Sequence, residues 1–205
     1  MFRALTIAGL LLMAASYYSP LWWVSLTAPN YPEHTFPDGV RIHMHWNGVE
    51  NGCKLVVRTE VEEDEPLDCV FEMNTINHYI GMHPIEKGAQ LEFAAAPYLF
   101  LAFGLALIVS LFYRGPFWWL LGLPAILAPI VFLVDFTAWM WWFGHNLHDW
   151  AAFTVKPFMP TVMGEGKVAQ FSTYAYPHYG IALSLLSSLS ILVATLLRRK
   201  ELQED

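Results

Sequence analysis

The chain has 205 residues, of which 56% are hydrophobic and only 14% are charged. Soluble domains carry about 25% charged residues, so lipid has to cover part of the apolar surface of this chain. The net charge of −7 and the lack of a basic stripe exclude a nucleic-acid-binding protein.

Four apolar stretches are long enough to cross a bilayer, which takes about 20 helical residues. They cover residues 5–26, 93–113, 117–143 and 179–197. The sequence therefore predicts a mainly α fold, a four-helix transmembrane bundle with a small periplasmic β-containing (α+β) domain between helices 1 and 2. The first stretch also fits a cleaved signal peptide, because it has a short basic start and small residues near its end.

The predicted organisation has five parts, divided at the ends of the apolar stretches. They are helix 1 (1–26), a periplasmic domain (27–92), helices 2 and 3 with a short cytoplasmic turn (93–143), a periplasmic loop (144–178), and helix 4 with a cytoplasmic tail (179–205).

Basic residues at the ends of these stretches predict the orientation. Five of the eleven Lys and Arg residues lie at the chain ends or in the short turn: Arg3, Arg114, Arg198, Arg199 and Lys200. The positive-inside rule places such residues in the cytoplasm. We therefore expect a multi-pass protein of the bacterial inner membrane, with both termini cytoplasmic and the long loops in the periplasm.

The first outer loop has the pattern of a small folded domain. Residues 40–46 alternate in the strand period, and Asn47-Gly48 is a hairpin-type dipeptide. Residues 54–61 then read as a returning strand and residues 69–73 as a third extended run. Residues 74–81 predict one or two helical turns that end at Gly81.

The two cysteines, Cys53 and Cys69, both fall in this outer loop. An oxidising compartment favours a disulfide, which would join the second strand to the third. A thiolate metal site is the alternative, although the spacing lacks the CxxC pattern.

All eight histidines and five of the eight methionines lie in the outer segments. Imidazole and thioether groups are ligands that suit copper, but histidine also avoids lipid, so this distribution alone proves little. The spacing is more informative, because His43 and His45 lie two apart on one strand face. The other candidate clusters are His78, Met82 and His83 in the first loop and His145 and His148 in the second.

Asp135 is the one acidic residue inside a predicted span. Intramembrane carboxylates are costly and usually face the protein interior or a polar cavity. Asp135 is therefore either a structural hydrogen-bonding group or part of a proton or ion path.

The sequence contains no phosphate-binding glycine loop, no HExxH, no GxSxG and no CxxCH motif. No nucleophile stands beside a base and an orienting partner. An accessory role is favoured over a complete enzyme active site.

Two motifs carry a resemblance to a known group of proteins. The first is residues 20–22 (PLW) with residues 77–82 (NHYIGM); the second is residues 144–149 (GHNLHD) with residues 159–160 (MP) and Gly164. The chain resembles uncharacterised bacterial four-span membrane proteins encoded near genes for nitrous-oxide-reductase and copper maturation. The resemblance implies copper delivery or assembly and points to four positions as functional: His78, Met82, His145 and Asp135.

The sequence thus predicts a periplasm-facing accessory protein that contacts the lipid bilayer and a membrane or periplasmic protein partner, with copper as its cofactor. Its role would be copper handling or cuproenzyme maturation, with His78 and Met82 meeting His145 and His148 above the bundle. The alternative is a non-catalytic structural subunit of a larger membrane complex, of the respiratory or oxidase type. A small transporter gated at Asp135 is a third reading.

Overall fold

The computed structural model describes residues 1–53, 67–152, 155–168 and 170–204. In these ranges the chain forms five α-helices and one five-stranded antiparallel sheet. The elements in chain order are α1 (Phe2–Tyr17), β1 (Trp22–Thr27), β2 (Val40–His45), β3 (Gly48–Asn51), α2 (Cys69–Tyr79), α3 (Gln90–Ser110), α4 (Leu123–His145), β4 (Gly164–Val168), β5 (Phe171–Pro177) and α5 (Tyr179–Glu204).

Three of the described helices are long and apolar enough to cross a membrane, namely α3, α4 and residues Tyr179–Leu202 of α5. The chain is therefore a membrane protein. The prediction of four spans was wrong, because α1 ends at Tyr17 and has only 16 residues. At 1.5 Å per residue it measures about 24 Å, shorter than a hydrocarbon core of about 30 Å.

The prediction of the first span is also wrong for its last residues. Residues 22–26, expected as the end of helix 1, belong to strand β1 (Trp22–Thr27). Pro20 precedes it and cannot donate a helical hydrogen bond. β1 instead pairs antiparallel with β2 on one side and with β5 on the other.

The strand order β3-β2-β1-β5-β4 corrects the predicted domain between helices 1 and 2. The sheet combines the end of the predicted first span, part of the first loop and the second loop. β1 follows α1 closely and β5 directly precedes α5. Because β1 pairs with β5, the end of α1 and the start of α5 both lie beside the same sheet.

Small side chains let α1 and α5 approach each other closely. A Cβ atom on Gly9 would lie 2.5 Å from Cγ1 of Ile191. The hydroxyl of Ser187 donates to the carbonyl of Gly9 (2.7 Å), and that of Ser16 donates to the carbonyl of Gly180 (2.9 Å). Such contacts are typical of helices packed within membranes.

Arg198 joins elements at the end of the bundle opposite the sheet. Its guanidinium donates to the carbonyl oxygens of Ser110, the last residue of α3, and of Tyr113, which follows that helix. Its charge also lies over the rings of Phe2 (4.6 Å) and Trp118 (5.0 Å). The start of α1, the α3–α4 connection and the end of α5 therefore lie together.

The first outer loop matches the prediction in part. The strand predicted at 40–46 is confirmed as β2, and β3 follows it as a hairpin. The extended run predicted at 69–73 was wrong, because Cys69–Tyr79 is helix α2. Asp68 caps this helix by accepting from the backbone N–H groups of Val70 and Phe71. The returning strand predicted at 54–61 lies outside the described residues.

A hydrophobic core joins the sheet, α2 and the C-terminal end of α4. Its buried members include Val40 and Ile42 of β2, Met73 and Ile76 of α2, and Phe143 of α4. This core fixes α2 over the sheet and thereby positions the histidines that follow.

Candidate functional site

The segment after α2 and the segment after α4 meet where α2 ends. The backbone N–H of His148 donates to the carbonyl of Gly81 (2.7 Å), and that of Ala152 donates to the carbonyl of Tyr79 (3.2 Å). Gly81 has a φ of +83°, a conformation that favours glycine. Both connections depend on this turn after α2, which lies where the sequence predicts it.

A recess at this junction is lined by side chains that include His78, Met82, His148 and Trp150. His83 contacts His148 beside the recess, and these five residues together are here called the histidine pocket. Nε2 of His148 lies 3.1 Å from Nδ1 of His83, and the two ring centroids are 4.1 Å apart. Met82 is buried and lines the recess, while His78 lies at its exposed rim.

Tryptophan rings hold these imidazoles in place. Trp142 stacks on His83 with 5.0 Å between ring centroids. Trp150 stacks on His148 at 4.8 Å and also contacts His78 at 4.3 Å. The packed rings restrict imidazole rotation, which favours a fixed arrangement of ring nitrogens.

The charge environment favours a neutral imidazole at His83. Burial, followed by the proximity of His148 and then of Lys87, lowers the pKa of His83 below its ordinary value. A neutral imidazole has a free lone pair on one nitrogen and is the form that binds metal ions. Met82 and His148 line the same recess, so a soft thioether sulfur is available beside the imidazole nitrogens, a ligand set that suits copper.

Three of the four residues expected to converge do so, namely His78, Met82 and His148. His145 does not join them, which corrects the expectation of a four-residue meeting. On the last turn of α4, its Nδ1 lies 2.8 Å from the carbonyl oxygen of Trp141 and its ring stacks on that Trp at 4.4 Å. His145 therefore bonds back along its own helix and lies exposed.

His148 contacts His83 instead of the expected His145. Trp150, which was not expected in the site, lines the recess. His83 belonged to the first-loop cluster by spacing, but its partner His148 is 65 residues away. Trp150 carries no metal-ligand signal, because an exposed tryptophan near a membrane is typical of an interface anchor.

Within the described ranges, no group of three or more His, Cys, Asp or Glu side chains is placed to hold a metal ion. The histidine pocket offers two imidazoles and a thioether instead.

The other predicted pair, His43 and His45, lies at one end of the sheet. The ring of His43 contacts that of His178 with 5.2 Å between centroids. Nε2 of His45 lies 3.4 Å from a carboxylate oxygen of Glu50. The two rings thus have different partners, and burial lowers the pKa of His43, His45 and His178.

The predicted disulfide between Cys53 and Cys69 is confirmed. It joins the segment after β3 to the first residue of α2, so it links a strand to a helix rather than two strands. The side-chain oxygen of Asn51 accepts from the backbone N–H groups of both cysteines (3.1 and 3.2 Å). Paired in this way, the cysteines cannot be the thiolate ligands of the alternative reading.

Asp135 lies in α4 and faces inward, onto an apolar cavity between α4, α2 and the sheet. This matches the usual position of an intramembrane carboxylate. It belongs to a different site from the histidine pocket, since only Met82 among the pocket residues borders both.

Comparison with protein-family models, with curated proteins and with solved structures finds no match for this chain.

Proposed function

We propose that this chain is an inner-membrane accessory protein that binds copper in the histidine pocket and takes part in copper handling or cuproenzyme maturation. The observation that supports it best is the contact between His83 and His148, 3.1 Å apart, beside the buried thioether of Met82. Two separate loops contribute to this pocket, so its ligand set exists only in the folded protein. Imidazole and thioether ligands favour Cu(I) over harder ions.

The exposure of the histidine pocket suits transfer of a metal ion to a partner protein rather than storage of the ion. His78 is exposed, and Trp150 is 54% exposed at the rim. A partner protein could therefore reach a metal ion held by His83 and His148. A fully enclosed metal site would not permit direct ligand exchange between two proteins.

The proposed orientation places the sheet and the pocket in the periplasm and both termini in the cytoplasm. It is supported by the gathering of Arg198 with Phe2 and the α3–α4 connection at the opposite end of the bundle. Arg3 and Arg114 belong to the same end, where the positive-inside rule expects them. A fluorescent protein that folds only in the cytoplasm, fused after Asp205, should fluoresce. A dark fusion of full length would contradict the orientation.

The metal proposal is tested by titrating the purified protein with Cu(I) in the presence of a competing colorimetric chelator. We expect one equivalent to bind with sub-micromolar affinity, and we expect His148→Ala or His83→Ala to weaken it by at least about tenfold. His145→Ala is the matched control, because that exposed imidazole is only three residues from His148 but bonds to its own helix. Binding weaker than micromolar, or loss with H145A but not with H148A, would overturn the proposal.

The alternative, a structural subunit of a larger membrane complex, is supported by the exposure of α3. Only 17% of its span is buried, against 33% for α5. A partner helix could cover the exposed face as well as lipid does. Gentle extraction followed by size analysis distinguishes the two functions: co-migration with a large assembly that carries no copper in this chain would favour the structural role.

A further inference from the structure

The apolar cavity under the sheet has a volume of about 140 Å³ and differs in chemistry from the histidine pocket. Its walls come from all five strands and from α2, α3 and α4. They are overwhelmingly apolar, as shown by Ile42, Ile76, Phe136 and Phe171. Apolar cavities of about 150 Å³ stay dry and take up apolar ligands, so this one is large enough to hold a guest.

The residues of α4 that line the cavity extend from Phe132 to Phe143, which is roughly 16 Å of helix at 1.5 Å per residue. An elongated apolar space fits a flexible chain better than a compact molecule. The polar groups on its walls are few. Two of them, the hydroxyls of Thr161 and Thr173, bond to each other at 2.5 Å and so need no ligand.

The cavity borders the part of the chain that lipid surrounds. Phe93 of α3 and both Phe132 and Asp135 of α4 line it, and both helices are long and apolar enough to span the bilayer. The neighbouring side chain of Val131 is 59% exposed on the outer surface of α4. Between α3 and α4, the hydrocarbon of the membrane therefore lies close to the interior of the cavity.

We propose that this cavity binds the terminal segment of one acyl chain of a membrane phospholipid, which enters from the bilayer beside Phe93 and Phe132 while its headgroup stays outside. The chain lies along α4 and reaches the underside of the sheet at Phe171. This site is independent of copper, although Met82 borders both the cavity and the histidine pocket.

The test uses the full chain in nanodiscs of phosphatidylcholine that contain a trace of the same lipid with a diazirine at the end of one acyl chain. After irradiation, the labelled peptides are mapped by mass spectrometry. We expect label on α2 near Ile76 and on β5 near Phe171, which belong to no membrane-crossing helix. Label confined to the exposed faces of α3, α4 and α5 would overturn the proposal.

Two cavity-filling variants sharpen the test, so that misfolding of one does not decide it. Ile76→Phe on α2 and Val49→Phe on β3 should each reduce the labelling of β5 several-fold while the circular dichroism spectrum stays unchanged. Val131→Phe adds the same ring on the exposed side of α4 and should leave that labelling as in the unmodified protein. Undiminished labelling of β5 in a folded filled variant would show that the chain does not occupy the cavity. No copper is present, so this result is independent of the copper titration.

Discussion

Nε2 of His148 lies 3.1 Å from Nδ1 of His83, although 65 residues separate them in the chain. When both imidazoles are neutral, one of these nitrogens donates and the other accepts, so the contact fixes complementary tautomers. For both facing nitrogens to bind one metal ion, the donating ring has to carry its proton on its other nitrogen, and the two rings have to move apart. The backbone bond from His148 to the carbonyl of Gly81 holds the two loops in this register.

The Gly81 turn should be essential to the histidine pocket. In Gly81→Ala the new Cβ would lie 2.8 Å from Cβ of Ala151 and 2.9 Å from the carbonyl oxygen of His148. We expect a lower melting temperature and weaker Cu(I) binding. Gly164→Ala is the matched control, since Gly164 also has a positive φ (+91°) but has nothing within 4 Å of the new Cβ.

Both alanine variants carry the backbone cost of a left-handed residue, about 1–2 kcal/mol. Only G81A adds the collision with the second loop. Equal Cu(I) affinities in the two variants, measured by chelator competition, would mean that the loop junction does not shape the pocket.

The stability of the fold should fall below about pH 6.5, the ordinary pKa of histidine. The pKa values of four histidines are lowered in the folded protein: His43, His45, His83 and His178. The unfolded chain therefore takes up protons first as the pH falls, and the folded state loses stability until the pH passes the lowered values. Thermal unfolding in detergent from pH 8 to pH 5 measures this slope, and His43→Gln with His178→Gln should flatten it. An unchanged slope in that double variant would assign the effect to other groups.

Reduction of the disulfide should destabilise the outer domain. The bridge closes a 16-residue separation, for which the chain-entropy account gives about 3 kcal/mol. A reductant should therefore lower the unfolding temperature of the unmodified protein. The Cys53→Ala, Cys69→Ala double variant should start at that lower temperature and show no further response to reductant, whereas a response would point to a different target.

The Asp68 cap should govern how well α2 forms. Its carboxylate accepts from the N–H groups of Val70 and Phe71, and loss of such a cap costs about 1 kcal/mol. We expect Asp68→Ala to lower the free energy of unfolding by that amount and Asp68→Asn to retain most of it. Urea unfolding followed by circular dichroism measures both, and equal losses in the two variants would argue against a capping role.

Local sequence predicted the elements that depend on local patterns. The alternation at residues 40–45 and the turn at Gly81 follow from side-chain periodicity and from glycine's conformational freedom, and both are present. The last turns of α2, over Asn74–Tyr79, were predicted as well. The start of α2 was not, because the segment Cys69-Val70-Phe71 contains residues that favour strands. Asp68, a preferred helix cap, was the signal that the prediction overlooked.

The assignment of Trp22–Thr27 could not be made from local sequence. The segment is as apolar as the helix before it, and what makes it a strand is its pairing with Phe171–Pro177, about 150 residues away. For the same reason, local sequence did not reveal the partners of the histidines. His148 contacts His83 and not His145, and His43 contacts His178, because the sheet and α2 bring distant segments of the chain together.

The central pairing of β1 with β5 has a consequence for biosynthesis. A ribosome delivers β1 within the first 27 residues of the chain, but β5 arrives only after α4 has been made. Until then β1 has β2 alone as a neighbour, and one of its edges stays unpaired. Completion of the sheet is therefore a late event of vectorial synthesis, and a nascent chain stalled before residue 171 would present an open strand edge to chaperones and proteases.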